Sequence, residues 1–513
     1  ETQPQALEHV ADRLRAAEVL YETRRYPTRE YVFKHALTHE VAYTTLPQER
    51  RHRLHARIFE ALQATGAARP EQLAYHAVRA EMWDKAIAPL RRAAAVAITN
   101  SADTNAIQYL EQAVTALSHL PDEPATLALA VDVRLELRNA LMPLGDRARI
   151  FRTLVEAEAL ARRLGDHGRL GWVCGYLTPY LWGLGEYGRA LATGQQALDT
   201  AETQRDTALE VIANRYLGHV HFAVGDYRQA VRRLEASLNS LQDGVIERHF
   251  HLPYKSSIAT SAWLASSLSE LGRFDEAIAL ARQGVADGEA ADHAYSITAA
   301  SCGLGIALLR RGDPAQAIPV VERAAALTRS GDFAALSAWI TAMLGSAYAL
   351  VGKLDEALLL LEEGVARMAA MQVKISEASV IAALGEACLL SGRRAQAVAH
   401  ADRALRLARD RKERGYEAWA LRLVGEIAAA GGDAETGAAV TAFNEAIAIA
   451  EALGMRPLRA HCGLGLGRVL RRAGPLEAAR PHLEMALGLY RDMDMRHWLP
   501  QAEAAAEGLV GAA

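Results

Sequence analysis

The chain has 513 residues, of which 51% are hydrophobic, 23% charged and 6% aromatic, with 57 Lys and Arg against 61 Asp and Glu and a formal net charge of −4. These figures exclude a disordered chain, a collagen, a disulfide scaffold and a strongly basic nucleic-acid binder. At roughly 100–200 residues per domain, the length suggests about three domains unless a repeated element extends the count.

The four cysteines, Cys174, Cys302, Cys388 and Cys462, have no ligand spacing and are expected as small buried side chains in a reducing interior. No apolar run approaches the roughly 18 residues of a membrane helix, and ETQPQALEHVADRLR has neither the basic start nor the apolar core of a signal peptide. The expected location is cytoplasmic, with no membrane partner. Position 1 is Glu and the chain enters at once into a helical pattern, which reads as a piece of a longer protein.

Residues 1–67 predict a helix, two short strands and two helices. Val19-Leu20-Tyr21-Glu22 and Tyr31-Val32-Phe33-Lys34 alternate around a polar stretch, which is a hairpin signature. A helix containing His35 and His39 follows, and then a basic helix from Glu49 to Ile58. This order resembles the C-terminal half of a winged helix. His35 and His39 at i,i+4 share a face but lack HExxH and a nearby third ligand, so no metal site is expected. His52 and His55 lie on the basic helix. Residues 68–170 are expected as irregular helical pairs joining to the repeats, one of them formed by helices around Leu135 and Ala157 with a turn near Gly145.

From 171 onward a pattern returns. A small residue falls at Thr178, Gly218, Ala265, Gly305, Gly345, Gly385, Gly425 and Gly467, at steps of 40, 47, 40, 40, 40, 40 and 42. Seven residues after each comes Gly185, Gly225, Gly272, Gly312, Gly352, Gly392, Gly432 or Gly474, and five residues later usually an Ala. This predicts helix, turn, helix, with Gly supplying the left-handed turn and the small residue allowing close helix approach. One pair cannot bury its apolar stripe, but a stack of pairs can.

Leu344-Gly345, Tyr348, Gly352, Ala357 and Leu361 resemble the tetratricopeptide repeat, as do Leu217-Gly218, Gly225-Asp226-Tyr227 and Ala230. The fold expected for residues 171–495 is an all-α, right-handed superhelix of tetratricopeptide-like pairs with a period of about 40 residues. Trp498-Leu499-Pro500 is expected to open a capping helix within 496–513.

The wording YVFKHALTHEVAYTTLPQERRHRLHARIFEAL, with SAWLASSLSELGRFDEAIALARQGV and EALGMRPLRAHCGLGLGRVL further on, resembles the C-terminal part of bacterial class III adenylate/guanylate cyclase-like proteins. Those proteins carry a cyclase domain, a signalling ATPase, a winged helix and a long repeat array. The basic helix with His52 and His55 is expected to dock on the neighbouring ATPase or on the wing, DNA contact being the disfavoured alternative for a chain of net charge −4. The resemblance implies that nucleotide chemistry belongs to a parent protein and not to these residues.

The residues themselves hold no nucleotide motif. Gly352-Lys353 lacks the leading Gly and the following hydroxyl of a P-loop, and Gly463-Leu464-Gly465-Leu466-Gly467 lies inside a repeat helix with no strand before it, so both are read as packing features. No catalytic residue, cofactor or metal is expected. Inward-facing positions of the first helices, at offsets 2, 5, 9 and 12 when the small residue is offset 8, select a candidate groove of Trp172, Trp182, Arg215, His219, Phe222, Trp339, Trp419, Arg422, Glu426, His461 and Arg468, to which Tyr176, close in phase, is added. Aromatics and Arg are the usual binding anchors, and the competing reading is that they fill the space between helices. Seven additional residues within 242–255 suggest either a loop closing over the groove or a linker.

The function expected is a non-catalytic sensing array regulating an attached signalling ATPase and nucleotide cyclase. Its partner would be a protein, a peptide or the parent's own ATPase module, with a small ligand as a further candidate and nucleic acid disfavoured. The alternatives are the inducer-sensing region of a DNA-binding ATPase-type transcription regulator, and a passive scaffold.

Overall fold

Alternation of helix-period segments with Gly turns demands stacked helices, and a computed structural model has that architecture. It describes residues 4–24, 29–240, 256–330, 334–371, 373–474 and 476–507. The expected closing loop at 242–255 lies outside the described residues. The chain divides into two compact units, Glu1–Leu164 and Gly165–Ala513.

In the first unit, α1 (Pro4–Ala16) leads into strands β1 (Leu20–Arg24) and β2 (Glu30–Phe33), which pair antiparallel with Leu20 opposite Phe33 and Glu22 opposite Tyr31. Six sequential helices follow before the last: α2 (Ala36–Thr44), α3 (Gln48–Thr65), α4 (Pro70–Arg79), α5 (Trp83–Thr99), α6 (Asp103–Ser118) and α7 (Pro124–Leu141), with α8 (Arg147–Leu164) closing the unit. Each helix from α3 onward packs on the next. Phe59, Leu90, Leu110, Leu141, Ile150 and Leu154 make its buried core. His55 does not face outward with the rest of its basic helix: it is buried, with its imidazole 3.1 Å from the Tyr43 hydroxyl and 2.8 Å from His76.

Among its described residues the second unit is eight helix pairs and a final helix. The pairs are His167–Gly183 with Tyr187–Gln204, Thr207–Val224 with Tyr227–Ser240, Ser256–Glu270 with Phe274–Ala290, and Ala294–Arg311 with Pro314–Ser330, followed by Ala334–Leu350 with Leu354–Ala370, Glu377–Leu390 with Arg394–Asp410, Arg414–Ala430 with Thr436–Leu453, and Arg456–Ala473 with Leu476–Asp492. Leu499–Ala506 covers the end.

The repeated residues act as their chemistry requires. Asp166 and Asp206 cap the first two pairs by accepting from the backbone N–H groups of Arg169 (2.9 Å) and Leu209 (3.0 Å). Ala190, Ala230, Ala277, Ala317, Ala357, Ala397 and Ala479 are all fully buried, because the second helix crosses its neighbours there. A methyl on Gly218 would sit 2.5 Å from Leu234, and one on Gly467 2.6 Å from Leu483, so each glycine admits a leucine from its own pair's second helix.

Two departures have local causes. Gly474 is extended (φ −162°) and not left-handed, because the following Pro475 disfavours the helical turn geometry. In the seventh pair a 3-10 turn at Asp433–Glu435 delays the second helix by two residues, so Ala439 takes the buried crossing position; this accounts for the step of 42.

Stacking does not stay local. The first helix of the second pair touches that of the seventh, and the first helix of the third touches that of the eighth, an offset of five pairs. The second unit is therefore a tetratricopeptide-like superhelix whose later pairs stack edge to edge on the earlier ones. Along this seam a Cβ on Gly225 would lie 2.7 Å from the backbone nitrogen of Gly415, and one on Gly312 2.8 Å from His497. Hydrophobic clusters run across it, joining Phe222 and Tyr227 to Tyr416 and Leu458, and Phe274 and Leu304 to Tyr490 and Met493.

Candidate functional site

Closing the superhelix turns its inner face into a chamber. First helices supply this face because their inward positions recur at offsets of three or four residues, so one stripe of each helix points to the axis. A cavity of about 230 Å³ lies there, bounded by Phe222, Trp339, Met343, Ser379, Trp419, Arg422, His461 and Trp498, among others.

One wall is a buried ionic arrangement. The Glu270 carboxylate accepts from Arg310 Nε (2.9 Å) and, through its other oxygen, from the Trp419 indole N–H (3.0 Å). The Arg310 guanidinium lies 3.8 Å from the Trp419 ring centroid, a cation–π contact that a desolvated setting makes worth about 2 kcal/mol. Residues from the third, fourth and seventh pairs thus hold one another.

Arg422 stands beside it, with Glu386 at 2.7 Å and Glu426 at 3.9 Å. Burial works against its charge, but these two carboxylates outweigh that effect and keep its pKa above the ordinary value. Burial raises the pKa of Glu426, against the opposing pull of Arg422. His461 is held neutral by burial, helped by the nearby Arg422 and Arg310, and its Nδ1 lies 2.9 Å from the Tyr490 hydroxyl. Tyr416 joins the rim through a 2.7 Å hydrogen bond with Ser376.

The sequence-selected residues divide into three groups. Phe222, Trp339, Trp419, Arg422 and His461 line the cavity, with Glu426 beside Arg422. Trp182 and His219 stand behind them in an aromatic cluster centred on Trp263, whose ring lies 5.3 Å from Trp182, 4.8 Å from His219, 5.2 Å from Phe222 and 5.6 Å from Trp339. The rest lie elsewhere. Trp172 donates to Asp206 at 2.9 Å and packs with Tyr176, Arg215 is buried and donates to Ser256 at 3.0 Å, and Arg468 reaches Gln501 on the last helix.

Sequence reasoning passed over Glu270, Arg310 and Glu386. Glu386 occupies offset 9, the same place as Glu426. Glu270 and Arg310 occupy offset 13, five residues past the small residue, a position that also puts Leu350 and Leu390 on the wall. The signal was the 40-residue step itself, since 270, 310, 350 and 390 repeat it.

Among the described residues no group of three or more His, Cys, Asp or Glu side chains is placed to hold a metal, and no helix is long and apolar enough to cross a membrane.

Comparison with known proteins supports the repeat assignment over part of the chain. Residues 295–370 and 380–415 match the tetratricopeptide repeat family, so the chain carries repeats of that kind. No curated protein sequence matches it. Among solved structures it is similar to a Rap protein complexed with competence and sporulation factor, at 14% identity over 81% of this chain and 99% of that one, with a TM-score of 0.49. It is similar to a Rap conjugation gene regulator in complex with the Phr* peptide, at 12% identity over 71% of this chain and 96% of that one (TM-score 0.47). A signal transduction ATPase with numerous domains and a tetratricopeptide repeat sensor, from Pyrococcus horikoshii, is similar at 14% identity over 74% of this chain and 54% of that one (TM-score 0.40). At TM-scores below 0.5 none of these likenesses assigns a ligand or partner to this chain.

Proposed function

We propose that the repeat unit is a non-catalytic sensor that holds a ligand, or an inserted part of a partner, inside its closed superhelix and passes occupancy to an attached signalling module. The observation that carries this reading is the chamber itself. Side chains 149 residues apart, Glu270 and Trp419, meet on one wall, so anything bound there contacts early and late pairs at once.

Such a ligand biases the seam, because it favours the closed arrangement only through contacts that the closed arrangement makes. The titratable groups of the wall are committed to one another, which suits binding rather than proton transfer. In this reading residues 1–67 are the C-terminal half of a winged helix, 68–170 join it to the array, 171–495 are the repeat solenoid and 496–513 the cap. The module controlled is a signalling ATPase, joined in the parent to a nucleotide cyclase. The sequence resemblance stated above supports that assignment.

Native mass spectrometry of the full chain after exposure to cell extract tests the reading. The wild type is expected to retain a bound mass, and Ser379→Trp, which fills the chamber from the sixth pair, is expected to lose it with the fold intact. Equal retention by both would place binding elsewhere.

A further inference from the structure

The chamber's chemistry narrows what it can hold, given the reading of it as a ligand site. A guanidinium carries five N–H donors in a planar fork. Arg422 directs Nη2 to Glu386 and Nη1 toward the more distant Glu426, while Nε, buried, has no hydrogen-bond partner among the described residues. Its side chain is only 11% exposed, so an unused donor there is costly unless something polar meets it.

The carboxylates on the wall differ in how firmly they are held. Both oxygens of Glu270 are engaged, by Arg310 and by Trp419, and the residue is buried. Among the described residues Glu386 has a single cationic partner, and its side chain is 44% exposed. It can therefore turn to water without leaving a buried charge behind. An incoming anion would take its place on Arg422. Glu270 offers no such opening, because both of its oxygens are engaged, and Arg310 already lies over Trp419.

Size limits the rest of the ligand. About 230 Å³ is below the 300–1,000 Å³ usual for drug-sized ligands, and an extended peptide advances about 3.3 Å with every residue. The space suits one ring system or one branched apolar group.

We propose that the chamber takes a small amphipathic monoanion, a carboxylic acid on a compact apolar body, whose carboxylate pairs with Arg422 in exchange for Glu386 while the body lies among Trp339, Met343 and Trp419. Arg422 is then the residue that selects charge, and Glu386 is an internal competitor that holds the Arg422 guanidinium until the acid arrives.

Calorimetric titration of the full chain with 1-naphthaleneacetate and with its neutral counterpart 1-naphthaleneacetamide tests this. The acid is expected to bind roughly tenfold tighter than the amide, the scale of one charge-assisted hydrogen bond. Glu386→Gln should tighten the acid a further few-fold without moving the amide, and Arg422→Gln should bring the two probes together. Equal affinity of acid and amide for the wild type, or no gain for the acid in Glu386→Gln, overturns the charge assignment while the chamber remains a ligand site. If neither probe binds, both the inference and the ligand-site reading on which it rests are contradicted. Glu386→Gln changes a half-exposed side chain, so its result stands even where Arg422→Gln fails to fold.

Discussion

The Tyr187 hydroxyl donates a 2.7 Å hydrogen bond to Glu413, 226 residues further along the chain, where the first pair of the superhelix meets the seventh. Burial pushes the Glu413 carboxyl up to about 7, although the Tyr187 bond and Arg411 pull the other way, and its second oxygen has no partner among the described residues. The acid is protonated in both folded and unfolded chains at low pH. As pH rises from about 4.5 toward 7 the unfolded chain ionises first, so stability falls across that window and is flat above it. Glu413→Gln keeps an acceptor for Tyr187 and should remove this slope. Denaturant titrations should show the variant equal to the wild type near pH 4.5 and more stable at pH 8 by up to about 3 kcal/mol.

Gly303 and Gly474 should respond oppositely to the same change. A methyl on Gly303 would lie 2.9 Å from the carbonyl oxygen and 3.0 Å from the Cα of Ala262, backbone atoms of the preceding pair that cannot turn aside. Gly303→Ala should cost about 1–3 kcal/mol by overpacking. Gly474→Ala, at an extended position whose nearest atom is 3.9 Å away, should stay within about 0.5 kcal/mol in the same unfolding experiment.

Glu270 is expected to be the most sensitive polar residue of the chamber. Truncation to Ala strands the Arg310 charge and the Trp419 indole N–H, and the loss of one partner from a buried pair costs about 3–5 kcal/mol. Glu270→Gln retains an acceptor for Trp419 and should cost less. Thermal melts rank the two, and a smaller loss for Ala than for Gln would show that the wall is not held in this way.

All four cysteines are buried and free, and burial pushes the Cys302 thiol up to about 12. Since the thiolate is the reactive form, a disulfide reagent should label none of them in the folded chain within the time that labels all four in denaturant. Fast labelling of Cys302 in native conditions would indicate that its helix opens far more readily than this packing allows.

The repeat was legible because its physics is local. A Gly that ends a helix, a small residue at a crossing and a buried Ala each leave a mark at a fixed spacing, and Gly225, Gly218 and Ala230 could be placed from that spacing alone. The inward rule worked for the same reason and located Trp339, Trp419, Arg422 and His461 on one surface. The closure was not legible. Whether Tyr187 reaches Glu413 depends on the small rotation added at each pair, which accumulates over six pairs and has no signature in any one of them. Trp172 and Arg468 satisfied the rule yet sit away from the chamber, engaged instead with Asp206 and with Gln501. Gly474 shows the converse, a repeat position whose geometry was overridden by the single residue after it.

The account stands on one claim, that a ligand held inside the second unit is gripped by early and late pairs together. Hydrogen–deuterium exchange of the full chain, carrying the molecule it retains from cell extract and again after that molecule is removed, measures this directly. The account predicts that occupancy slows exchange in the first helices around Trp339, Ser379 and Trp419 and also at the seam around Tyr187 and Glu413. Protection confined to the outer second helices, or to residues 1–164, would contradict it.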